Sequence, residues 1–385
     1  MGRGLLTACC SLLPIPCSLS VPIRVHPWLL LATLIFAWPV SANKAMSGIL
    51  TAKRVAPAVA AQPARANVGF VEDAKMRIDG DLSDWPKDAA PLDAGSSADP
   101  KDLSAVAYAA VSTTSFYFAC RVTDDKHYQR DYGDRMWAAD SVQMAFDPLN
   151  QRTRGRYGDY DHEFGLCSVD GAPLVWRWQH PACLKGEKVP GADLAVRFGK
   201  GEAVYEARIP LEQLWPLRPE ISPTCGFAFL VNDSDGKGDR QYVSWATGIG
   251  EGKNPSSFGA LVFPTERLCR DVPLAARFIL PEAPTPSDKP QEWRLDVCAR
   301  RAGKLTVRCE GQIERGAEAG SSFWSETALD APAGVSSWRV RADLSRVAPA
   351  RVKLRPRLTS GNASDAVLSP EFTVFVYRPS PTNDR

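Results

Sequence analysis

The chain has 385 residues, with 46 Lys+Arg against 44 Asp+Glu and a formal net charge of +2. That balance excludes a nucleic-acid binder working through a global positive field, and it excludes a disordered acidic or basic tail. The length holds two or three domains with cores of their own.

Residues 28–40, WLLLATLIFAWPV, form an uncharged apolar run, preceded by Arg24 and followed by Val40-Ser41-Ala42. This is the anatomy of a secretory signal peptide over residues 1–42, cleaved after Ala42. The 13-residue run falls short of the ~20 residues a spanning helix needs, so a membrane enters only if the leader stays uncleaved. The expected location is secreted, periplasmic or cell-surface. Cleavage removes Arg3, Arg24 and no acid, leaving 44 basic and 44 acidic residues. Seven cysteines remain, without CxxC spacing. They read as buried free thiols, not as a disulfide framework or a zinc site. Cys298 and Cys309 flank a hairpin, but strand parity turns their sulfurs to opposite faces.

Residues 43–67 are rich in Ala and Pro and read as a linker. From 68 to 263 short strand signals (105–111, 116–122, 141–146, 174–178, 203–209, 227–231 and 242–245) alternate with Asp, Gly and Pro clusters. This pattern predicts an all-β sandwich. A Pro-rich stretch at 264–290 reads as a second linker. Six or seven strand signals within 291–385 predict a smaller immunoglobulin-like β-sandwich. The fold class is therefore all-β, with two sandwich domains.

Catalytic motifs are scarce. The run Gly248-Ile249-Gly250-Glu251-Gly252-Lys253 is followed by Asn254, so it fails the phosphate-loop pattern. His162-Glu163 has no second histidine four residues on. Acids are plentiful, but nothing selects a glycosidase-like pair. The chain is expected not to be an enzyme.

Aromatic residues point to a ligand instead. Trp137 precedes a strand and lies outside its alternation, next to polar residues; it either stacks on a sugar ring or caps the core. Trp176 and Trp178 share a strand face, about 6–7 Å apart, as a stacking platform or a core ladder. Trp85, Trp215 and Trp245 read as packing residues. The loop Asn232-Asp233-Ser234-Asp235-Gly236-Lys237-Gly238-Asp239 is rich in oxygen ligands. Asp233, Asp235 and Asp239 are its candidate ligands for a structural Ca2+, against the alternative of a solvated Asx turn.

The order of motifs resembles the carbohydrate-binding module family 9-like domain. Ile78-Asp79-Gly80-Asp81-Leu82-Ser83-Asp84-Trp85 opens the series. Phe116-Tyr117-Phe118 follows with Val122-Thr123-Asp124-Asp125, then Trp137 with Asp140-Ser141-Val142-Gln143, and Asp147-Pro148. Tyr205-Glu206-Ala207, Ile209-Pro210, Gly226-Phe227, Val231-Asn232-Asp233, Ser244-Trp245 and Phe258-Gly259 complete it. The resemblance implies a β-sandwich, usually non-catalytic, from secreted polysaccharide-degrading systems, that holds sugar chain ends between two Trp rings and carries structural calcium. Residue by residue, the first ring matches Trp137 and an acidic hydrogen-bonding residue matches Gln143. The second ring belongs in 246–257, which has no aromatic, with Gly252 near its place. A sugar-binding Arg falls near Gly165.

The expected function is an exported, non-catalytic carbohydrate-binding protein whose partner is a saccharide or polysaccharide, with Trp137, Gln143, Trp176 and Trp178 as site residues. The alternatives are a structural or adaptor protein docking a protein partner through the C-terminal domain, a haem-binding domain using Met136, Met144 or His162, and a glycoside hydrolase.

Overall fold

Alternation governs the strand Ser115–Asp124. Phe116, Phe118 and Cys120 enter one core, while Tyr117 faces away and donates its hydroxyl to Asp73 at 2.7 Å. The computed structural model describes residues 44–45, 50–55, 64–236, 240–280, 284–286, 289–347, 349–361 and 367–379. Residues 1–42, expected as a leader, and Asp239 lie outside these. No helix among the described residues is long and apolar enough to cross a membrane.

Two sheets enclose the first core. One runs Ala172–Gln179, His162–Val169, Ser141–Asp147, Thr224–Asp233, Gly259–Val262, Arg65–Asn67, with Gln241–Trp245 paired to Thr224–Asp233. The other runs Asp193–Gly199, Glu202–Pro210, Ser115–Asp124, Leu103–Val111, Gly69–Phe70, with Leu92–Ser96 on Leu103–Val111. Phe116, Phe118, Phe146, Phe164, Phe227 and Phe229 interlock between them, their contacting ring centroids 4.9–6.4 Å apart. The opening motif is pinned by Glu206, which is fully buried. Glu206 accepts from the Asp79 and Gly80 amides (2.9 and 2.7 Å) and from Trp85 Nε1 (2.8 Å). Burial raises its carboxyl above the usual range, and the three donors hold it in place.

The second core also lies between two sheets. Taken in chain order, the strands Leu274–Ile279, Gln291–Ala299 and Gly334–Ala342 form one sheet. Gly303–Gly316, Ser322–Ala331, Ala350–Thr359 and Phe372–Tyr377 belong to the other. First, second and fifth against third, fourth, sixth and seventh is an order found in immunoglobulin-like sandwiches.

Two stretches expected as linkers carry structure instead. Within 264–290, Thr265–Asp271 is a helix and Leu274–Ile279 is a strand paired to Gln291–Ala299. Leu274, Ala276 and Phe278 enter the second core while Arg277 points the other way. This alternation was hidden by the surrounding prolines. Within 43–67, Lys44–Ala45 and Leu50–Val55 add strands to the two sheets of the second sandwich, and Arg65–Asn67 joins the first. The strands His162–Val169 and Asp193–Gly199 also escaped the sequence reading. The first opens on two buried polar residues, and the second is an edge strand with little buried surface.

A polar seam joins the sandwiches. Arg277 and Asp296 are direct cross-strand partners, Nε to Oδ2 2.7 Å, both buried. Arg277 Nη1 also donates to Ser222 Oγ (2.8 Å), and Asp296 Oδ1 accepts from Ser337 Oγ (2.6 Å). His162 Nε2 donates to the carbonyl of Trp215 (2.7 Å), whose indole sits in the second core. Tyr160 donates its hydroxyl to the Leu280 carbonyl. Cys298 faces this seam beside Cys269 and Ile221, whereas Cys309 is in the second core. The opposite orientation expected from strand parity holds.

Candidate functional site

The first sandwich has an outer face on the sheet that contains Ser141–Asp147. Val142, Met144 and Phe146 turn to the core, so Gln143 and Ala145 turn outward. Gly165 and Leu230 flank Gln143 on the neighbouring strands, and Gln143 itself is buried. Trp137 rides above this face on the 3-10 turn Gly133–Ala138, 44% exposed. Its ring is therefore not among the buried residues of the core.

A second aromatic ring lies near Trp137, from a place the sequence reading did not consider. In Gln241–Trp245, Val243 and Trp245 pack on the core, which turns Tyr242 outward. The Arg240 guanidinium lies 5.3 Å from the Trp137 ring centre and 5.5 Å from that of Tyr242. The loop 246–257, where the resemblance places the second ring, contributes Lys253, which pairs with Glu163 at 2.7 Å. Tyr157 donates its hydroxyl to the same carboxylate at 2.7 Å. Alternation about Val243 was the available signal for Tyr242. Nothing local in the sequence announced Arg240 between two rings.

Trp176 and Trp178 do share a face, and Arg177 is buried on the other. Their rings lie under the turn that carries Trp137. A Cβ on Gly165 would meet Met136 Sδ and the Trp178 ring at 2.4 Å, and one on Gly133 would meet Trp176 at 3.6 Å. Trp178 Nε1 donates to the Asp134 carbonyl at 2.9 Å. The pair is thus a shelf supporting Trp137. Trp178 fills the space over Gly165, where the resemblance places an Arg.

The acidic residues regroup. Asp235 converges with Asp102 and Asp125, all ligand oxygens within 4.8 Å of one another. Asp233 is not in this group. It is buried beside it, and its Oδ2 accepts from Gln241 Nε2 at 2.8 Å. Burial, with the nearby carboxylates of Asp140, Asp124 and Asp102, pushes Asp233 up to about 6. Three converging carboxylate oxygens suit a hard cation such as Ca2+, so the donor set present fits the implied metal with Asp102 and Asp125 in place of Asp233. A second group joins Asp124, His127 and Asp140. Burial works against the His127 imidazolium, but the two carboxylates outweigh it and raise His127 to about 9. Asp140 also accepts from the Ser234 amide at 2.8 Å, which ties the acidic loop to the turn of Trp137.

The haem candidates do not converge. Met136 is beneath the turn, Met144 is in the core, and His162 is bonded at the seam. A cleft of about 600 Å³ opens elsewhere, between the sheets, lined by Asp73, Tyr117, Val175, Leu194 and Arg208. Its polar groups pair with residues of the fold: Tyr117 with Asp73, and Arg208 with Asp193 at 2.6 Å.

Two sheets packed face to face on one core place this domain in the class of β-sandwiches. Residues 78–265 match the family model described as carbohydrate family 9 binding domain-like, 188 of the 385 residues. That segment is a carbohydrate-binding module family 9-like domain. Among solved structures, a family 9 carbohydrate-binding module from Caldicellulosiruptor kristjanssonii in complex with cellotriose is 18% identical. The alignment covers 51% of this chain and 92% of that one, with a TM-score of 0.41. The glucose complex from the same organism is 17% identical, covering 51% and 94%, with a TM-score of 0.41. A Bacteroides uniformis ATCC 8492 protein is 14% identical, covering 52% and 99%, with a TM-score of 0.37. Comparison with curated proteins gave no match.

Proposed function

We propose that the chain is an exported, non-catalytic protein that binds a saccharide on the outer face of the first sandwich, with Trp137 as the stacking residue. The observation that carries this reading is the exposed Trp137 ring beside a second outward aromatic, Tyr242, on the face that bears Gln143. A sugar ring presents an apolar C–H face that an aromatic plane removes from water, and Gln143 supplies an amide for its hydroxyls. Truncation of a central aromatic anchor costs ~2 kcal/mol or more, about 30-fold in affinity. Trp137→Ala is therefore expected to weaken oligosaccharide binding about 30-fold in calorimetric titration and to leave the melting temperature nearly unchanged. Undiminished binding in this variant would remove the site from Trp137.

The same domain is proposed to hold a structural Ca2+ on Asp102, Asp125 and Asp235, stiffening the loops beside the turn of Trp137. The ion would supply a point of positive charge among these three acids. At 100-fold excess over its dissociation constant, a bound ion adds about 2.7 kcal/mol, roughly 5–10 °C for a domain of this size. Chelation should lower the melting temperature by that amount, and added Ca2+ should restore it. Asp125→Asn should abolish the response. A melting curve indifferent to chelator refutes the site.

A further inference from the structure

Building on the saccharide reading above, we propose that this face selects an acidic saccharide, with the Nη1–Nη2 edge of Arg240 pairing with a carboxylate or sulfate group on the sugar. A guanidinium carries five N–H groups: one on Nε and two on each Nη. Asn232 Oδ1 takes the Nε and Nη2 side, at 2.9 and 2.6 Å. What remains is the fork formed by Nη1 and Nη2, whose two parallel N–H groups match the oxygens of one carboxylate.

That fork is held, not merely exposed. Asn232 is 1% exposed. Its amide orientation is set by Nδ2 donating to Ser141 Oγ (3.0 Å), and Ser141 Oγ in turn donates to the Ala139 carbonyl (3.0 Å). The Oδ1 atom must then face Arg240. The Trp137 and Tyr242 rings confine the guanidinium further. A group already fixed in its binding geometry loses less entropy on engaging a ligand.

The charge is also uncompensated. Among the described residues Arg240 has no carboxylate partner: its contacts are Asn232 and the two rings. Burial pulls its pKa down, and among the described residues Tyr242 alone opposes that. Lys253, a further cation of this domain, is already engaged by Glu163. Gln143 stands on the strand Ser141–Asp147 where the resemblance places an acid, so that position carries no charge to repel an anionic sugar. A neutral sugar would offer the fork hydroxyls alone, whereas a uronate or sulfate ester gives two charge-assisted bonds while its ring lies against an aromatic.

The test is calorimetric titration of the purified chain with four probes of matched length: an oligogalacturonate, its methyl ester, a sulfated galactan oligosaccharide and a cello-oligosaccharide. The acidic probes should bind at least tenfold tighter than the methyl ester at low salt, with the advantage shrinking in 0.5 M NaCl. Arg240→Gln should remove it, and Arg240→Lys, which keeps charge but not the fork, should retain only part. Preference for the carboxylated or the sulfated probe names the group, and either order supports the proposal. Equal binding of acid and ester, or a preference unchanged in Arg240→Gln, overturns it. If the ester or the cello-oligosaccharide still binds and Trp137→Ala weakens that binding, the saccharide reading stands without it. Failure of all four probes to bind overturns both.

Discussion

Trp215→Ala is expected to lower the stability of the chain by about 3–5 kcal/mol, the range for removing a buried large aromatic. The 3-10 turn Leu211–Leu214 plants Leu211 and Leu214 in the first core. The next residue, Trp215, is 4% exposed and lies in the second core, 6.3 Å from the Phe372 ring. One short segment therefore fastens both sandwiches. Its truncation leaves a cavity in the second core and loosens the carbonyl that His162 holds. The wild-type chain should unfold in one transition by far-UV and near-UV circular dichroism. In the variant, the second sandwich should melt first and split the curve. Trp215 Nε1 is buried without a partner, a cost of about 1–3 kcal/mol within the native state. Trp215→Phe removes that orphan while keeping most of the apolar volume, and should be much milder than alanine. A loss under 1 kcal/mol for Trp215→Ala, with a single transition, would show that the sandwiches do not depend on this residue.

Acid should destabilise the protein through His162. The imidazole is fully buried, with Nε2 donating to the Trp215 carbonyl and Nδ1 bare. A second proton on Nδ1 would have no acceptor. Burial lowers its pKa to about 3, with Arg177 and His180 adding repulsion against the Trp215 hydrogen bond. The unfolded chain binds this proton near pH 6.5 and the native chain does not, so the stabilisation present above pH 6.5 is lost as pH falls toward 3. The loss is about 2 kcal/mol at pH 5 and about 3 kcal/mol at pH 4. Asp161 works in the opposite sense. Burial and the Asp147 carboxylate raise it to about 8, so its contribution weakens as pH rises from the unfolded value. Comparison with His162→Gln isolates the histidine, because Gln keeps a donor near the Nε2 position and does not titrate. Between pH 7 and 4 the wild type should lose about 3 kcal/mol more than the variant in urea denaturation. Equal losses would mean that His162 is protonated in the native state.

The two sandwich cores were legible because their signal is local. Phe116 and Phe118 alternate with Tyr117, and Leu295 and Val297 alternate with Asp296, so the strand faces follow from parity alone. The stretch 264–290 was misjudged for the opposite reason. Its alternation of Leu274, Ala276 and Phe278 is short, built partly of Ala, and framed by prolines. Asp296 shows the same limit: an acid in a strand reads as solvent-facing until Arg277 comes from the neighbouring strand to meet it.

By itself the sequence determined an all-β chain, the presence of a family 9-like domain, the shared face of Trp176 and Trp178, and the singular position of Trp137. These rest on neighbours one to four residues apart or on ordered motifs. Only the tertiary structure decided that Trp137 stands exposed, that Trp176 and Trp178 lie beneath it as a shelf, and that Tyr242 and Arg240 complete the face. It also brought Asp102 and Asp125 to Asp235. Each of these pairings joins strands or loops tens of residues apart. Sheet register fixes such meetings, and register depends on how two whole faces bury their apolar side chains together, a quantity that no local stretch of sequence contains.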